Sequence, residues 1–194
     1  MVSHRSNRDH RQVRFCEGLT PNPPALTTSE NLAQLQALFQ KAAFWAQDRT
    51  LEDLKIAIAH SHPVISVWNT IRANDSKNEN DSKNEMEPGI EQLIGFARAT
   101  SDGIYRATIW DVVIHPDFRG SGLGGQLVQT LLAHPHMNQV ERVYLMTTHQ
   151  QSFYEHMGFT QNASTTMMLY QPSDRPVLPR MTESSEQAAS ESIS

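Results

Sequence analysis

Val112-Val-Ile-His-Pro-Asp-Phe-Arg-Gly-Ser-Gly-Leu-Gly-Gly125 is the stretch on which the fold of this 194-residue chain turns. A β-branched run stops at Pro116, an arginine follows, and glycines then lead into Leu127, Val128, Leu131 and Leu132, which share one helical face. Strand, glycine turn and amphipathic helix, in that order, make an anion site. Glycines let backbone approach a ligand closely, and the unpaired N–H groups and positive dipole end of the helix attract phosphate. Arg119 adds a positive charge.

Two ligands fit that physics. Taken literally, Gly120-x-Gly122-x-x-Gly125 matches the dinucleotide fingerprint, which needs its glycines directly after the strand and an acid at the end of the next strand. Here Pro116 to Arg119 intervene, and the next strand ends Leu145-Met-Thr-Thr-His149 without an acid. The other reading is Arg119-x-x-Gly122-x-Gly124, a pyrophosphate loop of different design.

Outward from the loop, the predicted elements alternate. Gln12 to Cys16 is a short strand; Ser29 caps a helix from Asn31 to Trp45 carrying Leu32, Leu35, Leu38 and Phe39; Thr50 opens a second helix that Pro63 stops. Val64–Thr70, Gln92–Thr100 and Ile104–Ile114 read as strands, the last two joined by a turn at Ser101-Asp-Gly103. A helix at Gly120–Leu132, a strand at Glu141–Thr147, a helix at Gln150–Met157 and a strand over Phe159–Tyr170 complete the order β, α, α, β, β, β, α, β, α, β. Three antiparallel strands feeding a strand–helix–strand unit make a mixed sheet, an α/β (α+β) arrangement.

The loop resembles the pyrophosphate loop of the GNAT family of N-acetyltransferases, whose pattern is Gln/Arg-x-x-Gly-x-Gly/Ala. The resemblance spans roughly residues 90–160. Val112-Val-Ile-His-Pro116 is similar to that family's fourth strand, and Gln151-Ser-Phe-Tyr-Glu-His-Met-Gly-Phe159 to its late helix, which ends Tyr-x-x-x-Gly-Phe. Gly95-Phe-Ala-Arg-Ala-Thr-Ser-Asp102, followed by Ala107-Thr-Ile-Trp-Asp111, resembles the cyanobacterial and plastid branch, which includes plant serotonin N-acetyltransferase-like and plastid protein acetyltransferases. The resemblance implies a mostly antiparallel sheet of six or seven strands, splayed between the fourth and fifth, with helices on both faces.

It also implies the chemistry: acetyl-CoA as co-substrate, no metal, and a primary amine as acceptor (a protein lysine or N-terminus, an arylalkylamine or a polyamine). Backbone groups of Val112, Val113 and Ile114 would take pantetheine as an added strand. Arg119, Gly120, Ser121, Gly122, Leu123, Gly124 and Gly125 would hold the pyrophosphate, with Ser152 and Tyr154 completing the cofactor site. Tyr154 stands where the family places a tyrosine that protonates the leaving thiolate, although its position equally suits a core aromatic. Asp111 would draw the amine proton, bind the ammonium or serve as a buried hydrogen-bond acceptor, because a carboxylate in an apolar strand is costly unless paired or used. It alternates onto one face with Ile109 and Val113. His115 and His149 are alternative bases. Phe44 and Trp45, with His149, would line the acceptor site or pack in the core. A non-catalytic acyl-CoA sensor is the competing reading, though a sensor would need only the loop.

Composition bounds the partners. Sixteen Lys+Arg against 21 Asp+Glu gives a net charge of −5, without the dense basic face of a nucleic-acid binder. No run approaches the roughly 20 apolar residues of a membrane-spanning helix, and the first residues lack the apolar region of a secretory signal. A single cysteine, Cys16, forms no internal disulfide. The chain is expected to be soluble and cytoplasmic, or stromal if it comes from a photosynthetic eukaryote, and a monomer or homodimer. Residues 1–11, a polar insertion at 72–91 holding the tandem hexapeptide Asn-Asp-Ser-Lys-Asn-Glu, and the tail 173–194 read as disordered or solvated, around a domain at 12–172. His60-x-His62 and His134-x-His136 have no third ligand nearby in sequence and read as incidental loop histidines.

Overall fold

The computed structural model describes residues 13–18, 26–71, 89–164 and 166–168. Two compact units divide the chain, one ending at Phe153 and the other beginning at Tyr154. The first holds strands β1 (Val13–Glu17), β2 (Val64–Ile71), β3 (Ile90–Ser101), β4 (Arg106–Ile114) and β5 (Arg142–Tyr144). It also holds helices α1 (Ser29–Ala42), α2 (Leu51–Ala59) and α3 (Leu123–Ala133), with one-turn 3-10 helices at Phe44–Ala46 and Pro116–Phe118. A short helix, α4 (Gln151–Glu155), crosses the division.

The sheet runs β1-β2-β3-β4-β5, antiparallel except for the parallel β4–β5 pair. This is the mixed, mostly antiparallel sheet that the sequence predicts. Five strands are present among the described residues, where six or seven are expected. The difference lies at the end, since 159–164 and 166–168 form no strand and 165, 169 and 170 lie outside the described residues. The predicted N-terminal segment, the tail and residues 72–88 of the insertion also lie outside them. The insertion ends sooner than expected, because Ile90 and Glu91 already pair with β2.

Side-chain chemistry sets the element boundaries. Thr28, one residue before the expected cap, accepts from the Asn31 N–H at 3.2 Å, and Thr50 does the same for Asp53 at 3.1 Å. Helix α1 ends at Ala42, three residues early, where the Phe44–Ala46 turn begins. The hairpin after β3 is wider than predicted: the Asp102 carboxylate accepts from the Ile104, Tyr105 and Arg106 N–H groups at 2.9, 2.7 and 3.0 Å. Bonds from Arg106 and Ile104 foremost hold that carboxyl below its ordinary range.

Two faces of the sheet are buried. Val64, Trp68, Leu93, Phe96 and Val113 share a core with Leu35, Leu38, Phe39, Leu54 and Ile58 of α1 and α2, centred on an edge-to-face contact of Phe39 and Phe96 at 5.7 Å. Ile65, Val67, Ile94 and Ala97 are equally buried, and α3 packs on β2, β3 and β4 with Leu127, Val128 and Leu131 inside. Gly95 permits that packing, since a Cβ there would lie 2.8 Å from Ile114 Cδ1.

At the far end of the sheet three histidines expected to be incidental come together. The His62 ring lies 4.9 Å from His134 and 4.7 Å from His136, edge to face, and buried His134 bonds Glu17 through Nε2 at 2.8 Å. Among the described residues no group of three or more His, Cys, Asp or Glu side chains is arranged to hold a metal ion. Burial, then the neighbouring His134 and His136, lowers the His62 pKa from its ordinary 6.5, with Glu17 opposing. The unfolded chain therefore takes up this proton at higher pH than the fold does, and stability is lost as pH falls through about 6.5 and below. Thermal midpoints measured between pH 8 and 5 should drop less steeply for His62→Gln than for the wild type; equal slopes would contradict the linkage.

Candidate active site

Strand β4 carries a bulge where the sequence reading assumes regular alternation. Val113 lies opposite Phe96 and Trp110 opposite Arg98, so Asp111 and Val112 together face Ala97. Asp111 takes up the irregularity with φ 57°, a left-handed conformation that aspartate tolerates better than most residues. The bulge breaks the Ile109–Asp111–Val113 alternation and bends the strand at the residues that were expected to meet a ligand.

The Asp111 side chain is 4% exposed, and its Oδ2 meets Arg98 Nε at 2.6 Å and Arg49 Nη1 at 2.7 Å. Arg98 also donates to Ser61 Oγ at 2.9 Å and lies over the Trp110 ring; Arg49 lies over Phe39 and accepts through its carbonyl from Gln36 Nε2 at 2.8 Å. Burial alone would raise the carboxyl, but the guanidiniums of Arg49 and Arg98 outweigh it and hold Asp111 below the usual carboxylate range. Neither arginine stands out as functional in the sequence. Arg98 had a readable signal, a charge inside an apolar strand facing an acid in the next strand; Arg49, in a polar loop, had none.

The β4–β5 ladder joins Arg106, Ala107 and Thr108 to Arg142, Val143 and Tyr144 and ends there. Beyond Thr108, β4 has no strand on that side among the described residues. β5 is also shorter than the predicted Glu141–Thr147. The open edge therefore includes Val112, Val113 and Ile114, although the Ile114 carbonyl already accepts from Arg119 Nε at 3.1 Å.

The strand runs directly into the glycine loop. His115, one of the alternative bases, is buried, and its Nδ1 accepts from the Asp117 N–H at 3.3 Å to cap the Pro116–Phe118 turn. Gly120 (φ 74°) and Gly122 (φ 83°) adopt left-handed conformations, and Gly122 caps α3 without a side chain. Cβ atoms at Gly120 and Gly125 would meet nothing within 4 Å, so the first turn of α3 borders open space. One at Gly124 would touch Phe153 of α4 at 3.6 Å and Ile114 at 3.8 Å. Ser121 Oγ donates to the Phe118 carbonyl at 2.6 Å, and Leu123 is buried. What these two residues offer an anion is mainly their backbone. Arg119 is exposed, yet its guanidinium donates to the Ile114 carbonyl and, at 3.1 Å, to the Ala42 carbonyl at the end of α1.

The three predicted acceptor-site residues meet. Phe44 and Trp45 stack edge to face at 5.2 Å, and the His149 ring lies 6.3 Å from Phe44. Phe44 is 60% and Trp45 47% exposed, so core packing does not account for them.

In the second unit, Tyr154 begins the helix end that the Tyr-x-x-x-Gly-Phe pattern encodes. The Gly158 N–H donates to the Glu155 carbonyl at 3.0 Å and the Phe159 N–H to the Tyr154 carbonyl at 3.1 Å, with Gly158 at φ 92°. This is a Schellman cap, and the accompanying apolar contact is the Tyr154–Phe159 ring pair at 5.8 Å. Burial pushes the Tyr154 phenol above 10. Ser152 lies exposed in the first turn of α4.

The profile of the Acetyltransferase (GNAT) domain matches residues 83–161. "Uncharacterized N-acetyltransferase ycf52" of Porphyra purpurea is 38% identical over 69% of this chain and 67% of that protein. The chain belongs to the GNAT acetyltransferase family. Within it, the relatives fit the cyanobacterial and plastid branch. "GCN5-related N-acetyltransferase 2, chloroplastic" of Arabidopsis thaliana is 34% identical over 64% of this chain and 48% of its own length, and "Histone acetyltransferase TAP1" of Glycine max 36% over 64% and 50%. The matched segment thus spans about half of each plant relative. Among solved structures, an "Acetyltransferase, GNAT family protein" from Streptococcus pneumoniae TIGR4 shares the fold at TM-score 0.55 and 18% identity, covering 83% of this chain and 99% of that one. The GNAT loop, open strand edge and capped late helix of this acetyltransferase are the features described above.

Removing the charge that both arginines face should be costly. Asp111→Asn should lower stability at neutral pH by about 3 kcal/mol, the lower end for breaking a buried ion pair. Because the native carboxyl is held low, this difference should persist down to the ordinary carboxylate range near pH 4 and shrink only below it, as the wild type protonates. Urea unfolding of both proteins from pH 7 to 3 measures it.

Proposed function

We propose that this chain transfers the acetyl group of acetyl-CoA to a primary amine by direct attack in a ternary complex. The observation that carries the reading is an open β4 edge leading straight into a glycine-capped helix N-terminus. Backbone groups of Val112 and Val113 bind pantetheine as an added strand, and the N–H groups from Arg119 to Gly125 receive the pyrophosphate. The positive charge of Arg119 attracts the phosphates, while its tie to Ile114 holds the loop against the strand.

In the reaction the amine nitrogen bonds to the thioester carbonyl carbon, the carbon–sulfur bond breaks, and the thiolate leaves. Tyr154 gives that thiolate its proton; burial keeps the phenol protonated and so loaded as a donor. Asp111 acts as a structural acceptor. A carboxylate held low by two guanidiniums is a poor match for a base working near neutral pH. The amine therefore loses its proton to solvent, with the exposed imidazole of His149 beside Phe44 available to carry it away. The exposed Phe44–Trp45 pair suits an acceptor with an apolar or aromatic portion next to its amine, whether a small molecule or a protein side chain. The enzyme works in the cytoplasm or the stroma, a reading supported by its similarity to chloroplastic acetyltransferases of Arabidopsis thaliana.

Acetyl-CoA should raise the thermal midpoint and NAD should not; stabilisation by NAD that equals or exceeds it overturns the loop assignment. Labelled acetyl-CoA with a panel of amines and lysine peptides then reads transfer, and binding without any transfer would favour the sensor. Tyr154→Phe keeps the ring and removes the hydroxyl, so single-turnover acetyl transfer should fall roughly 10²–10⁴-fold with little change in acetyl-CoA affinity. An unchanged rate would leave water as the acid.

A further inference from the structure

The aromatic segment between α1 and α2 is fastened at both ends by arginines as well as by its own buried alanines. Its single turn, Phe44–Ala46, is held by the Ala46 N–H donating to the Ala43 carbonyl at 3.0 Å, by the Arg49 N–H donating to the Ala46 carbonyl at 3.4 Å and by burial of the small Ala43 and Ala46, which leaves the exposed Phe44 and Trp45 with little of their own to fix them. Upstream, Arg119 bonds the Ala42 carbonyl and the Ile114 carbonyl with one guanidinium. Downstream, Arg49 reaches Asp111 at 2.7 Å, with its guanidinium over the Phe39 ring and its carbonyl held by Gln36. Both ends of the segment are thus tied to β4, at Ile114 and at Asp111, on either side of Val112 and Val113.

One further fact separates this arrangement from ordinary charge pairing. Arg98 already meets the same Asp111 oxygen at 2.6 Å and is the more buried of the two arginines, so Asp111 has a partner without Arg49. What the second guanidinium adds lies on its own side, where it stops the loop that carries Phe44 and Trp45 from drifting. A planar guanidinium can pair with a carboxylate and lie over a ring at once, a geometry that a lysine ammonium matches poorly.

We propose that Arg49, anchored on Asp111, is a positioning residue that registers the Phe44–Trp45 wall on the open stretch of β4. The acceptor amine then meets the wall at a fixed distance from the acyl carbon. That the wall faces an acceptor rests on the acetyltransfer reading above; the clamp itself rests on the geometry.

The test uses the full chain with Arg49→Met, which keeps an unbranched side chain without the charge, and Arg49→Lys, which keeps the charge. Hydrogen exchange at the Ala43 and Ala46 amides, both bonded in the native structure, should speed up about tenfold in Arg49→Met, as expected for losing one charged hydrogen bond in a locally opening segment. Amides of β2 and β3 should keep their protection. The KM for the amine should rise about tenfold, with kcat and the acetyl-CoA dissociation constant changing less than about twofold, and Arg49→Lys should fall between. Unchanged exchange at Ala43 and Ala46, or a uniform increase across the sheet, overturns the proposal. If Arg49→Met fails to fold, the same exchange pattern in Arg49→Lys decides. Should the wild type bind acetyl-CoA yet acetylate no amine, the transfer reading fails on its own and the exchange data still judge the clamp.

Discussion

A buried carboxylate gripped by two guanidiniums is the constraint on which the rest of this structure depends. Asp111 sits in a left-handed conformation at a bulge, where β4 must bend away from β5, and bulges increase local twist and interrupt pairing. An aspartate in that conformation is tolerable, but left unpaired inside the sheet it would carry a heavy desolvation cost. Arg98 from β3 and Arg49 from the α1–α2 connection remove that cost and convert the bend into a fixed joint. The open edge of β4 and the entry into the glycine loop lie directly beyond this joint, and Arg49 ties the connection carrying Phe44 and Trp45 to it.

The loop beyond the joint divides its labour between side chain and backbone. Ser121 and Arg119 spend hydrogen bonds on the carbonyls of Phe118, Ile114 and Ala42, which stiffens the turn. Gly120, Gly122 and Gly125 leave space over the helix end, so its first N–H groups stay open to an anion. A turn stiffened in this way would have little ordering left to do on the pyrophosphate contact proposed for it.

Much of this was legible in the sequence, and the failures have physical reasons. The strand, glycine and helix order around 112–132 is local chemistry and was read correctly, although the helix begins at Leu123 rather than at Gly120. Tyr154, Gly158 and Phe159 were legible for the same reason, since a Schellman cap is written in consecutive residues. The bulge was not, because alternation is the default for any apolar strand and one extra residue changes no composition. Pairing of Asp111 with Arg49, and of His62 with His134 and His136, joins residues far apart in the chain, which periodicity cannot see. The exposure of Phe44 and Trp45 was open until tertiary structure decided it, since an aromatic pair reads alike in a core and on a wall.

Arg119 and Ala42 stand 77 positions apart, and the segment 72–88 lies inside the stretch of chain that their bond closes. Contacts of such long range form late in folding, once the entropy of closing the loop has been overcome. That entropy rises only with the logarithm of length, about 0.6 kcal/mol for each doubling. A tandem duplication between β2 and β3 therefore adds almost nothing to the barrier for assembling the joint. The chain can lengthen or shorten there at little entropic cost, because the ties that Arg49 and Arg119 make to β4 and α1 are made by residues elsewhere in the sequence.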